Sequence, residues 1–306
     1  MELAHIDWTL YWFMFPVAMC VATTAMLSGI GGAAIFAPIF MIIFPILGPE
    51  YPFENIAAAI GVALLTEVFG FSSGFIGYYR KRLIDYKSAI PFILVGVPVG
   101  IGGALLLTTF KEFEEALRGV YGLLMLVLSL VLIRCNGSAE GSDVGNGSDA
   151  SEDELGRPIK SITGRDGTTY SYKKPQQGAG AIATGVGGFL TGLLGVGIGE
   201  VVMPQLAKRD GVPIPVAAAT SVFVVIVVVA AASFTQIFSL VAQGGLKAVP
   251  WNVVIYTVPA VIIGGQIGPR LQGKVSQHMM ERSIGYLFLI IGVAMSYIAV
   301  RNTFYV

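Results

Sequence analysis

Charge is scarce in this chain. Only 12% of its 306 residues are charged, nineteen basic and nineteen acidic side chains cancel, and there are just two histidines and two cysteines. With no net field and no basic stripe interleaved with aromatics, nucleic acid is not an expected partner. Cys20 lies inside an apolar run and Cys135 at the edge of a polar stretch, without a CxxC or a spacing that suits a metal or a redox pair. His5 and His278 fall in terminal and loop regions with no HxxxH, so both read as surface residues and neither a metal nor a cofactor is expected. The apolar stretches contain no His and no Asp, which leaves no parts for an intramembrane enzyme. A positive patch is also missing from Met1 to Trp8, where Glu2 and Asp7 stand instead. The first apolar run therefore reads as a retained helix, and without a targeting peptide a prokaryotic inner (plasma) membrane is the expected location.

What the chain has in excess is apolar surface: 55% hydrophobic residues and a mean hydropathy of +0.75. A soluble core of this size could not bury so much, so the expected class is an all-α polytopic membrane protein with the lipid bilayer as its solvent. Apolar segments fall at 10–29, 32–46, 55–79, 88–109 and 116–134, then at 178–195, 198–207, 213–242, 249–269 and 283–300. The segments 32–46 and 198–207 are short for a span of about 20 residues. Each follows its predecessor through a glycine-rich break, as half of a discontinuous helix would.

The two breaks match. Ser28-Gly-Ile-Gly-Gly-Ala-Ala-Ile-Phe-Ala-Pro38 answers Gly195-Val-Gly-Ile-Gly-Glu-Val-Val-Met-Pro204, with Gly31 to Pro38 spaced as Gly197 to Pro204. Ala57-Ala-Ala-Ile-Gly-Val62 answers Ala217-Ala-Ala-Thr-Ser-Val222, and Gly102-Gly103 answers Gly264-Gly265. This is an internal repeat. It divides the chain into a first membrane repeat (1–134), a polar linker (135–177) and a second membrane repeat (178–306). Basic residues cluster at Arg80 to Lys87, at Lys208-Arg209, and at Arg270, Lys274 and Arg282. With all three clusters cytoplasmic, the linker is inside and the acidic turn near Glu50 and Glu54 outside. Five crossings per half make the repeats inverted; re-entry of the short segments would leave four crossings and parallel repeats. Within the linker, Cys135 to Glu154 has the composition of a disordered tether. Alternating Ile and Tyr around Asp166-Gly167 are a hairpin signal. Asn136-Gly-Ser and Asn146-Gly-Ser are glycosylation sequons that a cytoplasmic loop would leave silent.

A helix broken within the membrane exposes backbone N–H groups that hold an anion without a lysine or arginine. Gly29, Gly31 and Gly32, with Gly195, Gly197 and Gly199, are the positions where the backbone comes close to such a ligand; close helix packing is the competing use of these glycines. Ser28, Thr191, Thr220 and Ser221 are hydroxyls that could complete the site, or bond back to carbonyls one turn earlier. Glu67 and Glu200 are acids within apolar segments, where a charge needs a reason, and proton coupling is the one that fits. Gln205 and Gln236 are weaker polar candidates. Asp85 reads as a counter-charge to its basic neighbours. Trp8, Trp12, Trp251, Tyr11, Tyr78 and Tyr79 stand where aromatic belts are expected. The small-residue face from Gly96 to Gly103 suits either internal packing or a homodimer.

The glycine-rich break followed by proline in both halves, with Ala217-Ala-Ala-Thr-Ser-Val222, resembles the TauE/SafE family of membrane transporters, often called sulfite exporters. The likeness spans nearly the whole chain outside the linker. It implies a secondary transporter that exports small anions such as sulfite or organosulfonates, coupled to an ion gradient. Two features depart from the family pattern: Ile60-Gly61 replaces the Thr-Ser pair in the first half, and the linker is longer than the usual short connector. An anion-conducting channel, a carrier of a non-sulfur solute, and a receptor working through the linker remain the alternatives.

Overall fold

A computed structural model describes residues 8–51, 53, 55–109, 114–134, 159–173, 180–271 and 276–304. His5, Cys135, Glu54, Lys274, both sequons and the Cys135–Glu154 tether lie outside the described residues, as does the side chain of His278. The helices are α1 (Met14–Ser28), α2 (Ala33–Pro38), α3 (Phe44–Leu47), α4 (Ile56–Lys81), α5 (Tyr86–Thr109) and α6 (Glu114–Arg134). After strands β1 (Ile159–Thr163) and β2 (Thr169–Lys173) follow α7 (Ala181–Leu194), α8 (Ile198–Pro204), α9 (Ile214–Gly244), α10 (Trp251–Leu271) and α11 (Gln277–Phe304). Six of them, α4, α5, α6, α9, α10 and α11, are long and apolar enough to cross a membrane.

The repeated proline has a repeated structural effect. Pro38 closes α2 and Pro204 closes α8, and each is followed by a π-helical stretch, Ile39–Ile43 and Gln205–Arg209. A proline ring removes one N–H and crowds the carbonyl four residues back, so the ladder relaxes to the wider π spacing instead of ending.

The short segments double back on the limbs before them. At the start of the first limb Tyr11 stacks on Phe44 of α3, ring centroids 5.2 Å apart, and meets Tyr51 edge-on at 5.6 Å. The α1 limb therefore begins where α3 ends. In the second half Gly180, just before α7, lies against Gln205 and Arg209 at the end of the α8 limb. Each pair of short limbs thus begins and ends on one side, and three helices long and apolar enough to cross a membrane lie in each half, where five crossings per half were expected.

α4 and α9 form the centre. α1 packs along α10 as α7 packs along α5, α10 lies on α4 as α5 lies on α9, and α6 pairs with α11. Small residues make these approaches close: Gly188 and Gly192 of α7 sit on the backbone of Gly96 and Gly100, Gly103 sits on that of Phe189, and Gly264 of α10 touches Met19 O. The Gly96–Gly103 face is thus largely used inside the protomer, with Gly102 meeting nothing. Trp12 is exposed in keeping with a belt position, but Tyr11 and Tyr78 turn inward, and the Tyr78 hydroxyl donates to Met26 O at 2.8 Å.

The linker hairpin forms in the register Ile162 opposite Tyr170, with Gly167 at φ 82° in its turn. An isolated two-stranded hairpin is marginal in water, and this one is docked. Arg165 N–H donates to Lys81 O at 3.0 Å, the Tyr172 hydroxyl donates to Asp85 at 2.7 Å, and Lys160 pairs with Asp85. Asp85 thus serves the hairpin and not the neighbouring arginines. Burial alone would raise its pKa, but the bonds from Lys160, Ser88 and Tyr172 hold it below the usual aspartate range.

Candidate functional site

Each break begins with a glycine that a side chain would strain. α1 ends at Ser28 because Gly29 turns to φ 69°, and α7 ends at Leu194 because Gly195 turns to φ 77°. A left-handed residue there closes the helix. The next buried N–H groups then need partners. Ser28 Oγ accepts from Ile30 N at 3.2 Å while donating to Thr24 O at 3.0 Å; Thr191 Oγ1 accepts from Ile198 N at 2.7 Å while donating to Gly187 O at 2.8 Å. Both hydroxyls are back-bonded and also hold the break in shape.

Carboxylates take three further donors. Glu67, near the middle of α4, accepts from Gly32 N at 2.9 Å on one oxygen and from Ala33 N at 3.1 Å on the other. Glu200, in the first turn of α8, accepts from Gly197 N at 2.9 Å with Oε2. Its Oε1 is buried and has no hydrogen-bond partner among the described residues. The two acids meet at one glycine: a Cβ on Gly31 would lie 3.1 Å from Glu67 Oε1 and 3.3 Å from Glu200 Oε1.

The breaks also touch through backbone. A Cβ on Gly199 would fall 2.9 Å from Gly31 N, and one on Gly195 3.4 Å from the Ala33 Cβ. Ser221 of α9 faces Gly29, 3.1 Å from its would-be Cβ, and donates to Ala218 O at 3.0 Å. Thr220, one residue earlier, points elsewhere and accepts from Asp85 N at 3.0 Å. Of the expected residues, then, Ser28, Gly29, Gly31, Gly32, Thr191, Gly195, Gly197, Gly199, Ser221, Glu67 and Glu200 come together, while Thr220 serves the α4–α5 turn. All the break glycines are buried, so this arrangement is closed.

The two helix breaks face each other, one capped by buried Glu67 and the other by half-buried Glu200, and a family model described as Sulfite exporter TauE/SafE matches residues 14–295. The chain belongs to the TauE/SafE family. It is 25% identical over 284 residues to the Probable membrane transporter protein YunE of Bacillus subtilis (strain 168), covering 92% of this chain and 95% of that one. It is also 30% identical over 118 residues to a Probable membrane transporter protein of Xylella fastidiosa (strain 9a5c), covering 38% of this chain and 42% of the relative. No solved structure matches. As a TauE/SafE protein the chain is a multi-pass membrane transporter and not an enzyme.

The sequence alone singles out Gln236 here but not Tyr121. Tyr121 of α6 is fully buried and donates to Ala34 O at 3.1 Å, one residue past the Ala33 amide that Glu67 holds. Its signal was a lone tyrosine in the middle of an apolar run, which reads as core. The Gln236 amide donates to Gly192 O at 2.9 Å, bracing the end of α7, and its own oxygen is left without a partner among the described residues.

Proposed function

We propose that this protein is a proton-coupled secondary transporter that exports small anions such as sulfite or organosulfonates, holding the anion between the breaks at Gly29–Gly32 and Gly195–Gly199. The observation that carries this is the occupation of the break amides by Glu67 and Glu200. A carboxylate is itself a small oxyanion, so N–H groups arranged to hold it will hold a sulfur oxyanion in the same way. The site is thus filled by the protein's own acids.

An anion enters only when those carboxylates let go, and protonation is what weakens their hold, since a neutral carboxyl accepts less strongly than a charged one. Proton and anion therefore bind together and cross as a pair, so export runs when the anion's outward gradient exceeds the opposing proton gradient. Tyr121, donating to Ala34 O beside the acids, and the hydroxyls of Ser28, Thr191 and Ser221 keep the breaks shaped while the acids move. Thr220 has no direct part in this. The breaks must also separate, because Gly199 and Gly31 are in backbone contact.

The proposed movement is rocking of two inverted repeats. Three spans per half leave the second half upside down relative to the first, and the matched packing of α1 on α10 and α7 on α5 supports that arrangement. Arg80, Lys81, Arg82, Arg134, Arg209 and Arg270 all lie at the ends of elements that the alternation brings to one side, joined there by the bond from the Lys81 ammonium to Pro269 O. That side, with the hairpin, is cytoplasmic on this account. No second copy is needed to complete the site.

The test is uptake of radiolabelled sulfite, sulfate and a short sulfonate into proteoliposomes under an imposed pH gradient, with the intact chain and with Glu200→Gln. Saturable, gradient-dependent flux of one anion, lost in the variant, is the expected result. Non-saturating flux would point to a channel, and flux of none of them to another solute.

A further inference from the structure

At the hairpin end of the molecule a cavity of about 610 Å³ is lined by Tyr79, Arg80, Arg82, Ile84, Tyr86 and Arg165. It belongs to neither break. Its walls come from two pieces of chain far apart in sequence, the α4–α5 turn and the hairpin tip, joined by the bond from Arg165 N–H to Lys81 O and by the Asp85 anchor to Lys160 and Tyr172. Docking of the hairpin is what adds the third arginine.

None of the three guanidiniums is paired with a carboxylate among the described residues. The nearby cations are already committed: the Lys81 ammonium donates to Pro269 O, and Lys160 is paired with Asp85. Asp166, next to Arg165 at the hairpin tip, accepts from Thr168 N within its own turn at 3.1 Å. Arg80, Arg82 and Arg165 are solvent-exposed, so water softens their mutual repulsion, and an anion between them would relieve what remains. Arg82 also occupies an unusual backbone position. It closes α4 at φ 57°, a left-handed conformation that no other non-glycine adopts among the described residues, and where glycine is the usual and less strained residue. Planar guanidiniums match phosphate oxygens two at a time, and exposed Tyr79 and Tyr86 add hydroxyls beside them.

We infer that this cleft is a binding site for a phosphate-bearing anion, assembled when the linker hairpin docks on the α4–α5 turn. The chemistry is that of a phosphate group presented either on an anionic lipid headgroup, for which exposed tyrosines at the end of a span are well placed, or on a soluble ligand. The site is separate from the breaks and stands whether or not the transport reading holds.

The test uses the purified full chain and two probes: pyrophosphate in solution, and nanodiscs of phosphatidylcholine with or without phosphatidylglycerol. Binding of pyrophosphate is read by calorimetry, and retention of phosphatidylglycerol by native mass spectrometry. The triple variant Arg80→Gln, Arg82→Gln, Arg165→Gln is expected to weaken whichever probe binds by on the order of tenfold per arginine lost. Asp85→Asn, which loosens the hairpin while keeping Arg80 and Arg82, is expected to give a smaller, intermediate loss, with an unchanged helical circular dichroism spectrum. Binding of pyrophosphate identifies a soluble source and retention of phosphatidylglycerol a lipid one. Binding of neither probe overturns the site. So does binding that the triple variant leaves intact, or that Asp85→Asn leaves at full strength, since a diffuse basic surface would not need the hairpin.

Discussion

The two breaks solve one problem in different ways. In the second, the acid that satisfies the exposed amides is local: Glu200 stands three residues after Gly197 and caps its own helix. In the first, the acid arrives from another helix, Glu67 reaching from α4 to Gly32 and Ala33 across 35 positions of sequence. A local cap moves with its break. A distant cap ties its break to a span, so the charge on Glu67 governs whether α4 and the first break stay together. The breaks are therefore alike in backbone and unlike in chemistry, and on the proposed reading the first break is the one whose opening protonation would release.

The largest expected consequence is at Glu67. Glu67→Ala leaves two buried N–H groups without an acceptor and should lower stability by about 3–5 kcal/mol. Glu200→Ala strands one such bond and should cost about half as much. Chemical unfolding in detergent measures both, and equal losses would break the comparison. Next come the glycines at equivalent positions of the breaks. Gly197 sits at φ 142°, with Gly187 O only 2.6 Å from a would-be Cβ, whereas Gly31 has ordinary backbone and meets flexible carboxyl groups at 3.1 and 3.3 Å. Gly197→Ala should cost about 3 kcal/mol and Gly31→Ala about 1 kcal/mol. The Gly31 variant should show its defect in anion affinity more than in melting temperature.

A smaller and equal pair is expected from the hydroxyls. Ser28→Ala and Thr191→Val each deprive one break amide of its acceptor, Ile30 N or Ile198 N. Each should cost about 1–2 kcal/mol, and a clear inequality would mean that the breaks are not braced alike.

The smallest effect concerns the hairpin. Because the folded Asp85 lies below the ordinary aspartate value of about 3.9, its bonds to Lys160 and Tyr172 are at full strength above that pH and fade as pH falls through the lower folded value. Hydrogen exchange at the hairpin amides should stay slow through neutral and mildly acidic pH and quicken only in strong acid. Asp85→Asn should weaken docking by about 1 kcal/mol at neutral pH.

Much of this was legible in the chain itself. Glycine spacing marked where α1 and α7 end, hydropathy marked the six long apolar helices among a larger set of segments, and the cost of burying charge singled out Glu67 and Glu200. What could not be read was direction. The turn-back of the short limbs depends on Tyr11 meeting Phe44 and on Gly180 meeting the end of the α8 limb, which are long-range contacts with no local signature. Thr220 and Ser221 are neighbours in sequence, but adjacent residues of a helix point about 100° apart, so only one of them faces a break. Tyr121 was hidden because a buried tyrosine and a buried phenylalanine make the same hydropathy pattern. Hairpin docking depended on Asp85, an aspartate whose natural reading was as a partner for adjacent arginines.

The most direct test of proton-linked anion binding is to titrate the purified protein with a short sulfonate, an anion that does not itself titrate near neutral pH, in two buffers of different ionisation enthalpy. The account predicts that binding heat differs between the buffers by an amount corresponding to net proton uptake, and that the difference shrinks in Glu67→Gln and Glu200→Gln. Saturable binding with identical heats in the two buffers would contradict it, because the anion would then be entering without displacing a charged carboxylate.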